Sequence, residues 1–194
     1  MIKVFTDGYF EELKKTLEEI SLEKVEKVVE IIYEAYLKGR QVFIMGNGGS
    51  AATASHFACD LSKGTIIEGR DRFKVISLND NMSLMTALSN DFGYERVFSE
   101  QLMNLVSKGD VVIGITASGN SKNILQAIKY AKGIGAVTLG FIGFGGGELK
   151  EMVDEHITVS NMSYGQVENI HLILSHAIAK YFRERFERES LKGN

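Results

Sequence analysis

The chain has 194 residues, 44% of them hydrophobic, enough to bury a full core in one domain. Its formal net charge of −3, without a basic block, argues against nucleic acid as the main partner. No apolar run reaches the length of a membrane span, the opening residues lack a signal-peptide pattern, and the lone cysteine, Cys59, excludes an intramolecular disulfide framework. A cytoplasmic protein without membrane contact is expected.

Two amphipathic helices come first. Phe10, Leu13, Leu17 and Ile20 form one apolar stripe, and Leu22, Val25, Val29, Ile32 and Tyr36 form a second. Gly39 suits the end of the second helix. From residue 41 onward, strand-like runs at 42–45, 73–78, 111–115, 137–141 and 157–159 alternate with helical segments. Those segments lie near 51–61, 83–105 (broken around 90–93), 122–132 and 148–153. A closing helix spans roughly 166–185, followed by a charged tail expected to fray. Apolar strands alternating with helices predict an α/β fold, a doubly wound, five-stranded parallel sheet in a single domain over residues 1–194.

Two turns carry the chemistry. Met45-Gly46-Asn47-Gly48-Gly49-Ser50-Ala51 follows the first strand, and Thr116-Ala117-Ser118-Gly119-Asn120-Ser121 follows the third; each opens into a helix. Glycine lets a ligand approach the backbone, a helix N-terminus offers unpaired N–H groups, and hydroxyls add donors. A phosphorylated metabolite held between two strand ends fits that combination, whereas loop punctuation is the plainer alternative for either turn alone. Gly46, Gly48 and Ala51 also match a dinucleotide-binding turn. That motif expects an acid about 20 residues on, and Asp80, the acid after the next strand, lies well beyond it. Asn79 and Asp80 are candidates for further polar contacts, or else part of a turn that caps the next helix.

Four polar residues stand out on apolar helices. His56 and Asp60 are one helical turn apart, about 40° around the axis, and Glu168 and His176 are two turns apart on the closing helix, about 80°. His171 faces elsewhere and is expected to be a satisfied core histidine. Two imidazoles and two carboxylates suit zinc or another divalent cation, or alternatively an acid–base pair without metal. Cys59, on the same helix as His56, is expected to be a small core residue.

Taken together, Gly46-Asn47-Gly48-Gly49-Ser50-Ala51-Ala52, His56-Phe57-Ala58, Asn90-Asp91-Phe92-Gly93, Ser118-Gly119-Asn120-Ser121 and the His171/His176 spacing make the chain resemble the sugar isomerase (SIS) fold, specifically the phosphoheptose isomerases. The resemblance implies interconversion of sedoheptulose 7-phosphate and a manno-heptose 7-phosphate through an enediol. It implies phosphate contacts from Ser50, Thr116, Ser118 and Ser121, with Asn47, Gly48, Gly49, Asn79, Asp80, Ala117 and Glu168 also in the substrate site. His56, Asp60, Glu168 and His176 surround the reacting end, with one zinc (or another divalent cation) per active site in metal-bound members. Asp60 is read as base and His176 as acid, the order exchanging in the reverse direction, with Glu168 the alternative base if Asp60 is bound tightly to metal. A homotetramer with composite sites is implied, residues 1–40 serving oligomerisation and 41–194 forming the sugar-phosphate core.

Three departures from the family pattern are visible. Asp60 stands where Glu is usual and Glu168 where Gln is usual. Lys63-Gly64-Thr65 replaces a Gly-Arg, leaving Lys63, Arg70 or Arg72 to supply that contact. These leave room for an isomerase or sensor of a different phosphosugar. The other alternative is a non-catalytic SIS-type binding protein associated with replication initiation; the family's relative of that kind lacks the catalytic histidine of the closing helix, which this chain keeps as His176.

Overall fold

The computed structural model describes residues 1–192, in which the five apolar runs pair as one parallel sheet. The strands are β1 (Gln41–Gly46), β2 (Lys74–Ser77), β3 (Val111–Thr116), β4 (Val137–Gly143) and β5 (Glu155–Val159), in the order β2-β1-β3-β4-β5. The helices are α1 (Ile2–Glu18), α2 (Leu22–Leu37), α3 (Gly49–Cys59), α4 (Met82–Phe92), α5 (Val97–Leu105), α6 (Lys122–Ile134), α7 (Leu149–Met152) and α8 (Tyr164–Lys192). A π-helical turn, Asp60–Gly64, extends α3, and a 3-10 turn, Tyr94–Arg96, joins α4 to α5.

Alternating side chains send β1, β2, β3 and β4 into two cores, while β5 joins only the first. Val42 and Ile44 of β1 join Val28, Ile32, Phe57, Leu61, Ile170 and Phe182 beneath α2, α3 and α8. Phe43 and Met45 join Phe98, Leu102, Ile124, Ile128 and Leu149 beneath α5, α6 and α7. The strand order reverses at β1/β3: the chain leaves β1 into α3 on one face and leaves β3 into α6 on the other. That junction is where open α/β sheets bind ligands. The register pairs Gly46 with Ile115, so the two glycine-rich turns begin side by side, about 4.8 Å apart at the strand ends.

α2 belongs to the core, with Val28 and Ile32 fully buried, so the N-terminal helices do not form a separate layer. α1 is covered less: Leu13 and Leu17 pack on the core, while Ile2, Val4, Phe5 and Phe10 are exposed.

Two expectations need correction. The charged tail is helical as far as the described residues go, α8 continuing to Lys192: Phe186 is buried, and Glu189 accepts hydrogen bonds from Arg70, Arg185 and Tyr33; residues 193–194 lie outside the described residues. Cys59 is exposed rather than in the core. The apolar face of α3 runs through Ala54, Phe57 and Ala58, and one residue further turns about 100° away from it.

Candidate functional site

Turn 2 is a compact set of hydroxyls. Thr116 Oγ1 lies 3.1 Å from Ser121 Oγ and 3.4 Å from Ser118 Oγ, and the Gly119 N–H donates to Thr116 Oγ1 at 3.3 Å. Gly119 has φ +68°, and a Cβ there would overlap the Gly146 carbonyl, so glycine is required by conformation and by space. The turn is tied to the loop after β4 by Leu149 N donating to Gly119 O at 3.0 Å and Glu148 N donating to Asn120 Oδ1 at 2.9 Å. Ala117 is buried beneath the hydroxyls. Three clustered hydroxyls before the N-terminus of an amphipathic helix suit a phosphate dianion.

Turn 1 is braced by amides. Gly46 N donates to Asn79 Oδ1 at 3.1 Å and Asn79 Nδ2 donates to Gly46 O at 2.9 Å. Asn79 thus fastens β1 to the end of β2. Asn81 caps α4 by accepting from Leu84 N at 3.0 Å, so the helix-capping reading of that turn holds for Asn81. Asp80 is engaged by Ser55 Oγ. Gly48 has φ +56° before α3, and Ser50 is buried in the first turn of that helix. A cleft of about 440 Å³ opens between this turn and α4, lined by Asn47, Gly48, Ala51, Ser55, Asn79 and Tyr94 among others.

The helical spacing of His56 and Asp60 survives folding, and tertiary packing brings His176 to them. Asp60 Oδ2 lies 2.9 Å from His176 Nδ1 and 3.4 Å from His56 Nε2, and the imidazoles meet edge to face with centroids 4.7 Å apart. One ligand atom from each residue lies within 4.8 Å of the others. Asp60 Oδ2 is buried without a well-formed hydrogen bond, whereas the two imidazoles are about half exposed. The cluster is open to solvent on its histidine side. Asp60 begins the π-helical turn, a feature often found at functional sites.

Glu168 is not gathered with these three. Its carboxylate lies over Gly49 at the start of α3, so close that a Cβ at Gly49 would overlap it. A carboxylate is favoured beside a helix N-terminus, and the missing Gly49 side chain makes the room. His171 is fully buried against Phe141. Contrary to expectation, neither of its ring nitrogens makes a well-formed hydrogen bond. Burial pushes its pKa down to about 4, with the Ile142 backbone offsetting part of the effect, so the ring is neutral near pH 7. Of the candidate cations, Arg70 is occupied at the far end of α8, stacked over Phe186 at 4.3 Å and paired with Glu189.

Sequence reasoning missed Asn123 and Tyr94, both bonded to Asn47. Asn123 did carry a signal: it shares the apolar stripe of α6 with Ala127 and Ala131, a place where a lone amide needs a partner.

The family model described as SIS domain matches residues 8–143. The chain is 38% identical over 180 residues to a phosphoheptose isomerase of Aliarcobacter butzleri, covering 93% of this chain and 94% of that protein. It is 37% identical over 180 residues to a phosphoheptose isomerase of Helicobacter pylori, covering 93% of each. Among solved structures, phosphoheptose isomerase GmhA from Neisseria gonorrhoeae superposes with a TM-score of 0.88 at 27% identity, covering 95% of this chain and 100% of that one.

Proposed function

The chain belongs to the SIS-domain family and, within it, to the phosphoheptose isomerases, and from that premise we propose that it interconverts sedoheptulose 7-phosphate and a manno-heptose 7-phosphate. The observation that carries this reading is the convergence of His56, Asp60 and His176 in a fold whose β1/β3 junction bears the two glycine- and hydroxyl-rich turns. The phosphate is assigned to Ser50, Thr116, Ser118 and Ser121, held by hydroxyls and helix N-terminal amides.

Aldose–ketose exchange moves a proton between C1 and C2 and needs a base at carbon, an acid at oxygen and stabilisation of the enediolate. Asp60 serves as the base, its Oδ2 lying 2.9 Å from His176 Nδ1 and 3.4 Å from His56 Nε2. His176, 2.9 Å from that oxygen, moves the proton at the sugar oxygen, and the roles exchange in the reverse direction. The donor set also fits a divalent ion, since an unpartnered carboxylate oxygen and two imidazole nitrogens face one another within 4.8 Å. Zinc held by His56, Asp60 and His176 would polarise the oxygens of the reacting sugar, and with Asp60 engaged in that way Glu168 would become the base. Glu168 joins that set only by leaving Gly49.

The apolar side chains of Ile2, Val4, Phe5 and Phe10 on α1, together with the groove of Leu22, Val25, Val29 and Tyr181 between α2 and α8, support a homotetramer. Light scattering tests it; a stable, active monomer at micromolar concentration rules it out. The functional test is incubation of the metal-loaded protein with a panel of C5–C7 ketose phosphates in deuterated water. Aldose 7-phosphate carrying deuterium at C2 is expected. Failure to isomerise sedoheptulose 7-phosphate refutes the substrate, and isomerisation without deuterium incorporation refutes a solvent-exchanging enediol.

A further inference from the structure

The two turns are joined by a bridge of side-chain amides. Asn47 Nδ2 donates to Asn123 Oδ1 at 2.9 Å, and Asn123 Nδ2 donates back to Asn47 Oδ1 at 2.9 Å. The Tyr94 hydroxyl lies 2.7 Å from Asn47 Oδ1. The Ile124 backbone N–H lies 3.0 Å from Asn123 Oδ1. Asn123 is 3% exposed, and it sits two residues past Ser121, at the start of α6.

The direction of every bond follows from the backbone. Ile124 N–H, shared with Ser121 O at 3.0 Å, can only donate, so the amide of Asn123 turns its oxygen to it and its nitrogen to Asn47. That forces Asn47 to present oxygen to Asn123 Nδ2, and Tyr94 must then be a donor to the same oxygen. Each amide oxygen has two acceptor positions, so both are filled. Asn47 keeps a single free function, one N–H, which suits an oxygen of an anion or a sugar. The bridge crosses from the turn after β1 to the helix after β3, residues 76 apart in sequence. It therefore resists changes in the spacing of the two turns.

We infer that Asn123 and Tyr94 are positioning residues for sugar-phosphate binding: they fix Asn47 as a donor and hold the two turns at the separation the ligand requires. This rests on the placement of the phosphate at the turns. Tyr94 is 52% exposed, so Tyr94→Phe removes one hydroxyl with little disturbance of packing.

The test measures KM and kcat for sedoheptulose 7-phosphate and the inhibition constant of inorganic phosphate. A hydrogen bond of about 1 kcal/mol corresponds to about fivefold in affinity. Tyr94→Phe should raise KM and the phosphate inhibition constant about fivefold with kcat within twofold. Asn123→Ala, which loses both inter-amide bonds, should raise them on the order of 20-fold, and adding Tyr94→Phe to it should change little further. Thr138→Ala serves as the structural control. Thr138 is buried at the opposite end of β4, bonded to Asp154, so its loss should lower the unfolding temperature and leave KM unchanged. If Asn123→Ala does not fold, Tyr94→Phe alone decides. KM and phosphate affinity unchanged in Tyr94→Phe, while Ser118→Ala with Ser121→Ala weakens phosphate, overturns the bridge alone. Unchanged values in both variants overturn the bridge together with the phosphate placement. A fall in kcat at constant KM also overturns it.

Discussion

Gly119→Ala is the sharpest test of how the second turn is built. A Cβ at position 119 would stand 2.6 Å from the carbonyl carbon of Gly146 and 3.0 Å from the Cα of Gly147, all backbone that no rotamer change relieves. Holding alanine at φ +68° costs about 1–2 kcal/mol. Pushing the 146–149 loop aside breaks the Leu149 N to Gly119 O and Glu148 N to Asn120 Oδ1 bonds, about 1 kcal/mol each. The variant should therefore lose about 3–4 kcal/mol in urea unfolding followed by circular dichroism. Its displaced hydroxyls should raise KM for the sugar phosphate by on the order of 10-fold or more. Gly133→Ala is the matched control: that glycine lies in α6 with nothing near its Cβ position, so alanine there should stabilise by up to about 1 kcal/mol and leave KM alone. A Gly119→Ala protein within about 1 kcal/mol of wild type, or with unchanged KM, would refute the argument.

Other outcomes follow from the same structure. Ser118→Ala with Ser121→Ala should raise KM more than it lowers kcat, because a remote phosphate contributes mainly binding; equal affinity for sugar phosphate in the double variant removes the assignment. His176→Asn should abolish turnover while calorimetry still detects sugar-phosphate binding, and exhaustive chelation with elemental analysis should show about one divalent ion per site lost together with activity. Full activity in metal-free protein would leave Asp60 and His176 as a plain acid–base pair. Burial raises the pKa of Glu189, but hydrogen bonds from Arg185, Arg70 and Tyr33 outweigh it and bring the carboxyl down to about 2. Its folded-state pKa is depressed, so its stabilisation is complete above about pH 4.5 and is lost as the pH falls toward about 2. With the side chain 34% exposed and screened by solvent, Glu189→Gln should cost about 1–2 kcal/mol at pH 7. The gap between variant and wild type should close at acid pH; a gap constant from pH 7 to pH 3 contradicts the linkage.

The sequence by itself determined which segments are strands and helices, because apolar periodicity is a local property that each core only has to accept. It also placed His56 beside Asp60, since one helical turn sets that distance without help from the rest of the chain. Both glycine-rich turns were legible for the same reason: glycines, hydroxyls and an opening helix are adjacent in the chain. What only the tertiary structure decided are distances between elements. Strand order put β1 next to β3 and so set the two turns side by side. The packing of α8 against α3 brought His176 to Asp60 and laid Glu168 over Gly49, a split between two residues of one helix that their 80° separation did not foretell. The end of α8 looked like a solvated tail because its partners, Arg70 and Tyr33, are distant in sequence. Asn123, Tyr94 and Asn47 met for a similar reason. A buried amide announces that it needs a partner, but only the folded chain, by closing loops of tens of residues, says which one it finds.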